Sequence, residues 1–212
     1  ADVEFTNALR GEKYPNYRHR IFTLQFSADN YKRWAQSFIM RMDYEGAIGK
    51  LKKAYTIIQE AIEASGRTDR KLWELYWRIC IDLGKIISKA KGFDAGKVYL
   101  EECIIPVYCG DVRIPTNHQI IAEACRSLVT LGMKQQDTNI YPLEKWINIC
   151  MDNCPIDSEI FRVISKVKER LKNENDRKSG LIRWYNSKKK FGLIEIANDT
   201  YTFLLSGFRN NI

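Results

Sequence analysis

The sequence predicts a mainly α protein, in which α-solenoid-like helical hairpins precede a small C-terminal antiparallel β element. Apolar residues recur at helical spacing through most of residues 28–172. From residue 180 onward they recur at a period of two, which is typical of strands. We therefore expect an N-terminal arm over 1–27, a helical domain over 28–172, a polar linker over 173–179 and a β element over 180–212.

Length and composition set broad limits. The 212 residues are enough for one large or two small domains with a substantial core. No apolar run is long enough to span a bilayer and no signal segment opens the chain, so we expect no membrane partner. The chain begins with Ala1 rather than Met, so we expect a processed form or an excised piece of a longer protein.

The N-terminal arm is the least regular part of the sequence. Asparagine, glycine and proline interrupt residues 1–16, which makes a long helix there unexpected. Further on, Phe22, Leu24 and Phe26 alternate with polar positions within 20–26. This pattern predicts either a strand or an extended arm packed on the helices.

Two amphipathic helices follow from Ser27. The first carries its apolar stripe at Tyr31, Trp34, Ala35, Phe38, Ile39 and Met42, and the second carries its stripe at Ala47, Ile48, Leu51, Ala54, Tyr55, Ile58 and Ile62. The turn between them reads Asp-Tyr-Glu, followed by two alanines seven residues apart with a leucine between them.

This turn and second helix resemble a tetratricopeptide repeat. Ala47, Leu51 and Ala54 occupy the family's small–large–small positions, and Trp34, Ala35 and Phe38 occupy the packing positions of the first helix. The resemblance implies close approach of paired helices at the small residues. It also implies a concave groove that binds a protein partner.

Two further helix pairs are predicted with looser spacing. The second pair would run over about 69–106, with Thr68 as cap and a small–large–small set at Gly96, Leu100 and Cys103. The 49 residues from Ala47 to Gly96 exceed the repeat of roughly 34 that is typical of the family, so the array is divergent.

The third pair and a capping helix complete the predicted array. Pro115 and Thr116 would open its first helix, Gly132 would end it, and Pro142 would begin the second. The final helix would be capped by Asp157 or Ser158.

Six cysteines and two histidines raise the possibility of a metal site or disulfides. Cys80, Cys103 and Cys125 fall on apolar helical stripes, where small buried hydrophobic residues are expected. The remaining spacings do not match zinc motifs. We expect no metal, no cofactor and free thiols, which are typical of a reducing, cytoplasmic location.

The β element contains a candidate nucleic-acid site. If its first two strands pair as a hairpin, Trp184 and Phe191 share a face rimmed by Arg183, Lys188 and Lys189. An aromatic platform among cations is a typical way to hold single-stranded nucleic acid. The alternative is a plain hairpin whose Trp184 packs against the neighbouring domain.

Residues 180–194 resemble the opening of a cold-shock domain, a small oligonucleotide-binding (OB) barrel. The positions that match the family are Gly180, Trp184, Asn186, Lys189, Phe191, Gly192 and Ile194. The resemblance implies binding of single-stranded RNA or DNA through Arg183, Trp184, Tyr185, Lys188, Lys189, Lys190 and Phe191. Leu193, Thr202 and Leu204 replace stacking residues of the family, so a smaller platform is expected.

The net charge of +8 is concentrated before and within this element. Residues 166–190 contain ten Lys and Arg against three acids, so most of the positive charge lies in this band. Such a band is typical of a surface that contacts phosphates, although a solvated helix end and linker would also be basic.

No catalytic constellation emerges from the sequence. It contains no glycine-rich phosphate loop and no metalloprotease motif, and two histidines leave little scope for acid–base chemistry. The prediction is therefore a non-catalytic adaptor that joins a protein-binding helical array to a nucleic-acid-binding β element. The alternatives are a pure protein-interaction or regulatory module, and a subunit or fragment of a larger enzyme assembly.

Overall fold

The computed structural model describes residues 17–106, 114–134, 140–175, 181–186, 191–196 and 199–204. The chain consists of two compact units, Ala1–Ser165 and Lys166–Ile212. Helices make up most of the described residues, so the prediction of a mainly α fold is confirmed.

Seven helices are described. They are α1 (Tyr17–Met40), α2 (Tyr44–Ala64), α3 (Arg70–Lys91), α4 (Phe93–Glu102), α5 (His118–Gly132), α6 (Ile140–Asn153) and α7 (Glu159–Asn175). Packing joins α1 to α2, α3 to α4 and α5 to α6 as three hairpins. Helix α3 also contacts α1, α2 and α5, and is therefore the central element of the array.

Helix α1 begins earlier than the sequence indicated. The prediction of a strand or extended arm over 20–26 is wrong, because these residues lie inside α1. Leu24, Ala28, Tyr31 and Ala35 are all buried at spacings of four, three and four residues, which is one continuous helical stripe. The alternation of Phe22, Leu24 and Phe26 was therefore incidental, since only the central residue faces the core.

The predicted small positions lie in the core. Ala47 and Ala54 are fully buried on α2, as expected, and Leu51 between them is also buried. Trp34, which was expected to pack inward, is 40% exposed, whereas its neighbour Ala35 is buried. The burial pattern agrees with paired helices, and the assignment to a repeat family stays a prediction.

Helices α3 and α4 cross at two glycines. A Cβ atom added to Gly84 would lie 2.5 Å from Cγ of Leu100, and one added to Gly96 would lie 2.7 Å from the backbone nitrogen of Ser88. The Gly96 Cβ would also overlap the carbonyl oxygen of Gly84. Only glycine allows the two backbones to approach this closely.

Polar caps set the starts of the helices. Asp43 accepts a hydrogen bond from the amide of Gly46 at 2.8 Å, and Asp69, rather than the predicted Thr68, accepts one from Lys71 at 2.9 Å. Asn117 caps α5, so that helix begins after the predicted Pro115 and Thr116. Such caps satisfy amides that have no partner within the helix.

Helix α6 begins earlier than predicted, and helix α7 begins as predicted but extends further. Helix α6 begins at Ile140 instead of Pro142. Helix α7 has the predicted cap, because Ser158 Oγ accepts a hydrogen bond from the amide of Phe161 at 3.1 Å. The predicted linker from residue 173 is wrong for its first three residues, which continue α7 to Asn175.

None of the helices among the described residues is both long enough and apolar enough to cross a membrane.

The second unit contains three strands, β1 (Leu181–Asn186), β2 (Phe191–Ile196) and β3 (Asp199–Leu204). They form an antiparallel sheet in the order β1-β2-β3. The register between β1 and β2 shifts between Ile182 and Trp184, which marks a bulge in β1. The assignment of this sheet to an OB or cold-shock fold stays a prediction.

A crowded glycine and an uncrowded glycine allow a test of the close crossing of α3 and α4. Gly96→Ala should lower the free energy of unfolding by about 1–3 kcal/mol, because the added methyl group overlaps backbone atoms of α3. Gly49→Ala is the matched control, since a Cβ there meets nothing within 4 Å on the surface of α2. It should raise the free energy by about 0.4–1 kcal/mol. Urea denaturation measures both, and equal effects of the two substitutions would contradict the close crossing.

Candidate interaction surfaces

Two phenylalanines on α1 line an open groove. The rings of Phe22 and Phe26 stack at a centroid distance of 6.5 Å with an interplanar angle of 12°. Their side chains are 68% and 54% exposed, although Leu24 between them is buried. Residues one helical turn apart lie on the same face, so α1 presents both rings together. This apolar strip was not identified from the sequence, because the segment was expected to be extended.

The groove lies between α1 and the first turns of α3. It has a volume of about 340 Å³, and Leu75 of α3 adds to its apolar wall. Its remaining lining is polar or charged and consists of Gln25, Asp29, Lys71, Glu74 and Arg78. Two acids and two bases thus surround an apolar strip. We refer to this feature as the α1–α3 groove.

Ion pairs link the first helices of the three hairpins. Lys32 of α1 lies 3.4 Å from Asp82 Oδ2 of α3, and Lys85 of α3 lies 2.8 Å from Glu123 Oε1 of α5. Apart from this ion pair, Asp82 Oδ2 makes no hydrogen bond within the part of the chain that the structure describes. Partly exposed pairs of this kind contribute about 0–1 kcal/mol each, so they connect the three helices without adding much stability.

The two carboxylates of this row titrate differently. Burial raises the pKa of Asp82 above its usual value, and the charge of Lys32 opposes that rise only in part. Burial also acts to raise the pKa of Glu123, but the hydrogen bond and charge of Lys85, together with the charges of Arg126 and Arg78, outweigh it, so that this pKa lies below the usual value.

A tyrosine–carboxylate network joins α2, α3 and α4. The Tyr55 hydroxyl lies 2.9 and 3.0 Å from the two carboxylate oxygens of Glu102, and the Tyr76 hydroxyl donates to the same carboxylate. The rings of Tyr55 and Tyr76 lie 5.3 Å apart. No local sequence pattern marked Glu102, because the tyrosines that donate to it lie 47 and 26 residues away.

Both tyrosines are held in the neutral form. Burial is the largest cause that raises the pKa of Tyr55 to about 12, and the negative charge of Glu102 adds to it. Burial also raises the pKa of Tyr76 well above its ordinary value, with a further contribution from its hydrogen bond to Glu102.

Burial lowers the reactivity of Cys80 and Cys150 in the described core. Cys80, Cys103, Cys125 and Cys150 are buried free thiols, as the helical pattern predicted for the first three. Burial raises the pKa of Cys80, and it raises that of Cys150 to about 12. Thiols with raised pKa values are poor nucleophiles at neutral pH. No group of three or more potential metal ligands occurs among the described residues.

The predicted nucleic-acid residues lie only partly within the described chain. Arg183, Trp184 and Tyr185 belong to β1, and Phe191 begins β2. The register pairs Trp184 with Leu193. Lys188, Lys189 and Lys190 lie outside the described residues.

The third strand pairs with β2 along its whole length. Leu193 of β2 pairs with Thr202, and Phe191 pairs with Leu204. The residues opposite the expected platform are therefore a threonine and a leucine rather than aromatic residues.

Comparison with models of known protein families and with curated proteins found no match to this sequence.

The tyrosine network generates a prediction about alkaline pH. A folded pKa above the unfolded value near 10 adds stability that is fully present below pH 10 and is lost as pH rises through the folded pKa. The free energy of unfolding should therefore fall above pH 10, with Tyr55 and Tyr76 each contributing at most about 1.4 kcal/mol per pH unit.

The Tyr76→Phe variant separates the tyrosine contribution from the titration of lysines, because the lysines titrate in both the variant and the unmodified protein. The variant should be less stable at pH 8, because it loses the hydrogen bond to Glu102, and its stability should fall less steeply between pH 10 and 12. Chemical denaturation at each pH measures the slope. Parallel slopes for the two proteins would contradict the raised tyrosine pKa.

Proposed function

We propose that the chain is a non-catalytic adaptor whose helical array binds a protein partner and whose β element binds single-stranded nucleic acid. The observation that carries the first half is the exposed Phe22–Phe26 pair in the α1–α3 groove. A cytoplasmic location is part of the proposal, because all five cysteines among the described residues are free thiols.

The proposed occupant of the α1–α3 groove is a peptide segment of a partner protein. The groove volume of about 340 Å³ is at the lower end of the range for ligand sites, which suits an apolar side chain better than a large cofactor. The charged rim is largely compensated within the chain, because Glu74 pairs with Arg78 at 2.9 Å and Asp29 pairs with Arg33 at 2.8 Å, which suits an apolar anchor. Aromatic anchors in such a pocket typically dominate the binding energy.

An ion pair between the two helices that line the groove supports this choice of occupant. The pair Lys32–Asp82 joins α1 to α3 at a distance of 3.4 Å. A groove with fixed walls loses little conformational entropy when a segment binds. This preorganisation favours recognition of one peptide conformation.

Selection from a displayed library of random peptides tests the groove. Selected peptides should carry an aliphatic or aromatic anchor, and Phe22→Ser and Phe26→Ser should each weaken their binding by about 10-fold or more. Met40→Ser is the matched control, because Met40 is 85% exposed at the other end of the same helix. Peptides that bind equally to all three variants, or a library without binders, would refute the groove as the site.

The nucleic-acid half of the proposal is supported by the sheet register. Phe191 of β2 pairs with Asn186 of β1, and Asn186 lies two residues after Trp184 in the same strand. Trp184 and Phe191 are therefore expected on one face of the hairpin. Positions two apart in a strand share a face of the sheet. The basic band at 166–190 adds the charge needed for phosphates.

An electrophoretic shift assay with short labelled RNA and DNA strands at two salt concentrations tests this half. Trp184→Ala should weaken binding by roughly 1–3 kcal/mol. Lys188→Ala and Lys189→Ala should each reduce the salt dependence without changing sequence preference. The absence of binding by the intact protein at low salt would end the proposal for the β element, and would favour a pure protein-interaction module.

A further inference from the structure

Three of the four charged residues that line the α1–α3 groove are offset within the chain. Glu74 and Arg78 pair with each other at 2.9 Å, and Asp29 pairs with Arg33 at 2.8 Å. Lys71, near the start of α3, is the fourth charged residue of the lining and is exposed. In the part of the chain that the structure describes, no carboxylate lies within ion-pair distance of its ammonium group.

The acid nearest to Lys71 in the sequence has another role. Asp69 Oδ1 accepts a hydrogen bond from the backbone amide of Lys71 at 2.9 Å, so this carboxylate caps α3. The first turn of α3 contains no acid, and Arg70 adds a second exposed base there. Bases at this position do not stabilise a helix, so the stability of α3 does not account for them.

The exposed ring of Phe22 and the Lys71 ammonium belong to the same end of the groove. Short connections reverse the chain after α1 and after α2, so α1 and α3 run in the same direction. The ion pair Lys32–Asp82 aligns the two helices. Phe22 lies ten residues before Lys32, and Lys71 lies eleven residues before Asp82, so both are about 15–17 Å from the aligned pair.

A peptide that fills this end meets an aromatic ring and an ammonium group together. Phe22 is 68% exposed, and Leu75, one turn after Lys71, belongs to the apolar wall on α3. An apolar side chain placed on this surface removes water from it. The same removal of water strengthens the attraction between Lys71 and a nearby carboxylate. The segment that complements this end of the groove therefore carries an acid close to its apolar anchor.

We propose that the α1–α3 groove binds peptide segments in which an aspartate or glutamate lies next to the apolar anchor, and that Lys71 contacts this carboxylate. The proposal rests on the protein-binding half of the proposed function and specifies which segments are bound. Phe22 supplies the surface for the anchor, whereas Lys71 selects the residue beside it, so the two roles can fail separately.

The test repeats the selection of displayed random peptides on the unmodified chain, on Lys71→Glu and on Lys89→Glu. Peptides selected on the unmodified chain should be enriched in Asp or Glu next to the anchor. Those selected on Lys71→Glu should carry Lys or Arg at the same place, because this variant reverses the charge that they meet.

Lys89→Glu is the matched control for the change of charge. Lys89 is an exposed lysine of the same helix, 18 residues after Lys71 and outside the groove lining, at a distance of about 27 Å along the helix axis. Selection on this variant should return the same acidic peptides as selection on the unmodified chain.

One selected peptide, synthesised with its acidic residue and with the corresponding amide, gives the size of the effect. Lys71→Met should weaken binding of the acidic form by about threefold to fivefold at low salt, as expected for a partly exposed ion pair. It should leave binding of the amide form unchanged. The two changes together should therefore cost no more than either change alone, which is the result expected for a direct contact.

The outcomes separate this inference from the proposed function. Peptides that depend on Phe22 but show no acidic enrichment, and that bind equally to Lys71→Glu and Lys89→Glu, overturn the role of Lys71 and leave the groove as the site. An acidic preference that both variants weaken equally reflects overall charge and also overturns the contact with Lys71. A library without binders, or binders unaffected by Phe22→Ser, overturns the groove and this inference together. Equal denaturation midpoints of the variants exclude unfolding as the cause of any loss.

Discussion

The close crossing of α3 and α4 at Gly84 and Gly96 is the constraint on which the rest of the helical array depends. Because no side chain separates the two backbones there, the α3–α4 hairpin has little freedom to change its angle. Helix α3 also contacts α1, α2 and α5, so its orientation sets those of its neighbours. The orientation of the α3–α4 hairpin therefore sets the position of the α3 wall of the α1–α3 groove relative to the α1 wall.

Hydrogen bonds and ion pairs also connect the helices of the array. The carboxylate of Glu102, at the end of α4, accepts hydrogen bonds from tyrosines of α2 and α3, and so connects three helices at one point. On the first helices of the hairpins, the pairs Lys32–Asp82 and Lys85–Glu123 cross from α1 to α3 and from α3 to α5. Few of these contacts contribute much stability alone. Together they favour one arrangement of the helices over nearby alternatives.

The sequence predicted those features that depend on spacing within one helix. The burial of Ala47, Ala54 and Gly96 followed from small residues at regular intervals, and that of Cys125 followed from its place on an apolar stripe. Helix α1 was misjudged at its start, because Phe22, Leu24 and Phe26 match a strand and a helix equally well until Ala28 and Tyr31 are included. A longer window would have revealed the helical stripe.

Features that depend on contacts between helices were not predictable in this way. Glu102 receives its hydrogen bonds from residues 47 and 26 positions away, and no local pattern marks it. The α1–α3 groove likewise combines residues of two helices. The exposure of Trp34 illustrates the same limit. Its position on the stripe suggested burial, but the ring is 40% exposed and contacts the Lys50 ammonium of α2.

The order of the helix contacts has a consequence for folding kinetics. Each extensive contact in the array joins helices that are consecutive in the chain or separated by one helix. Contacts of short sequence separation require little loop closure before they form, and chains dominated by them fold quickly. The array can therefore assemble hairpin by hairpin from either end, and a defect in one terminal hairpin reaches the other only through α3 and its neighbours.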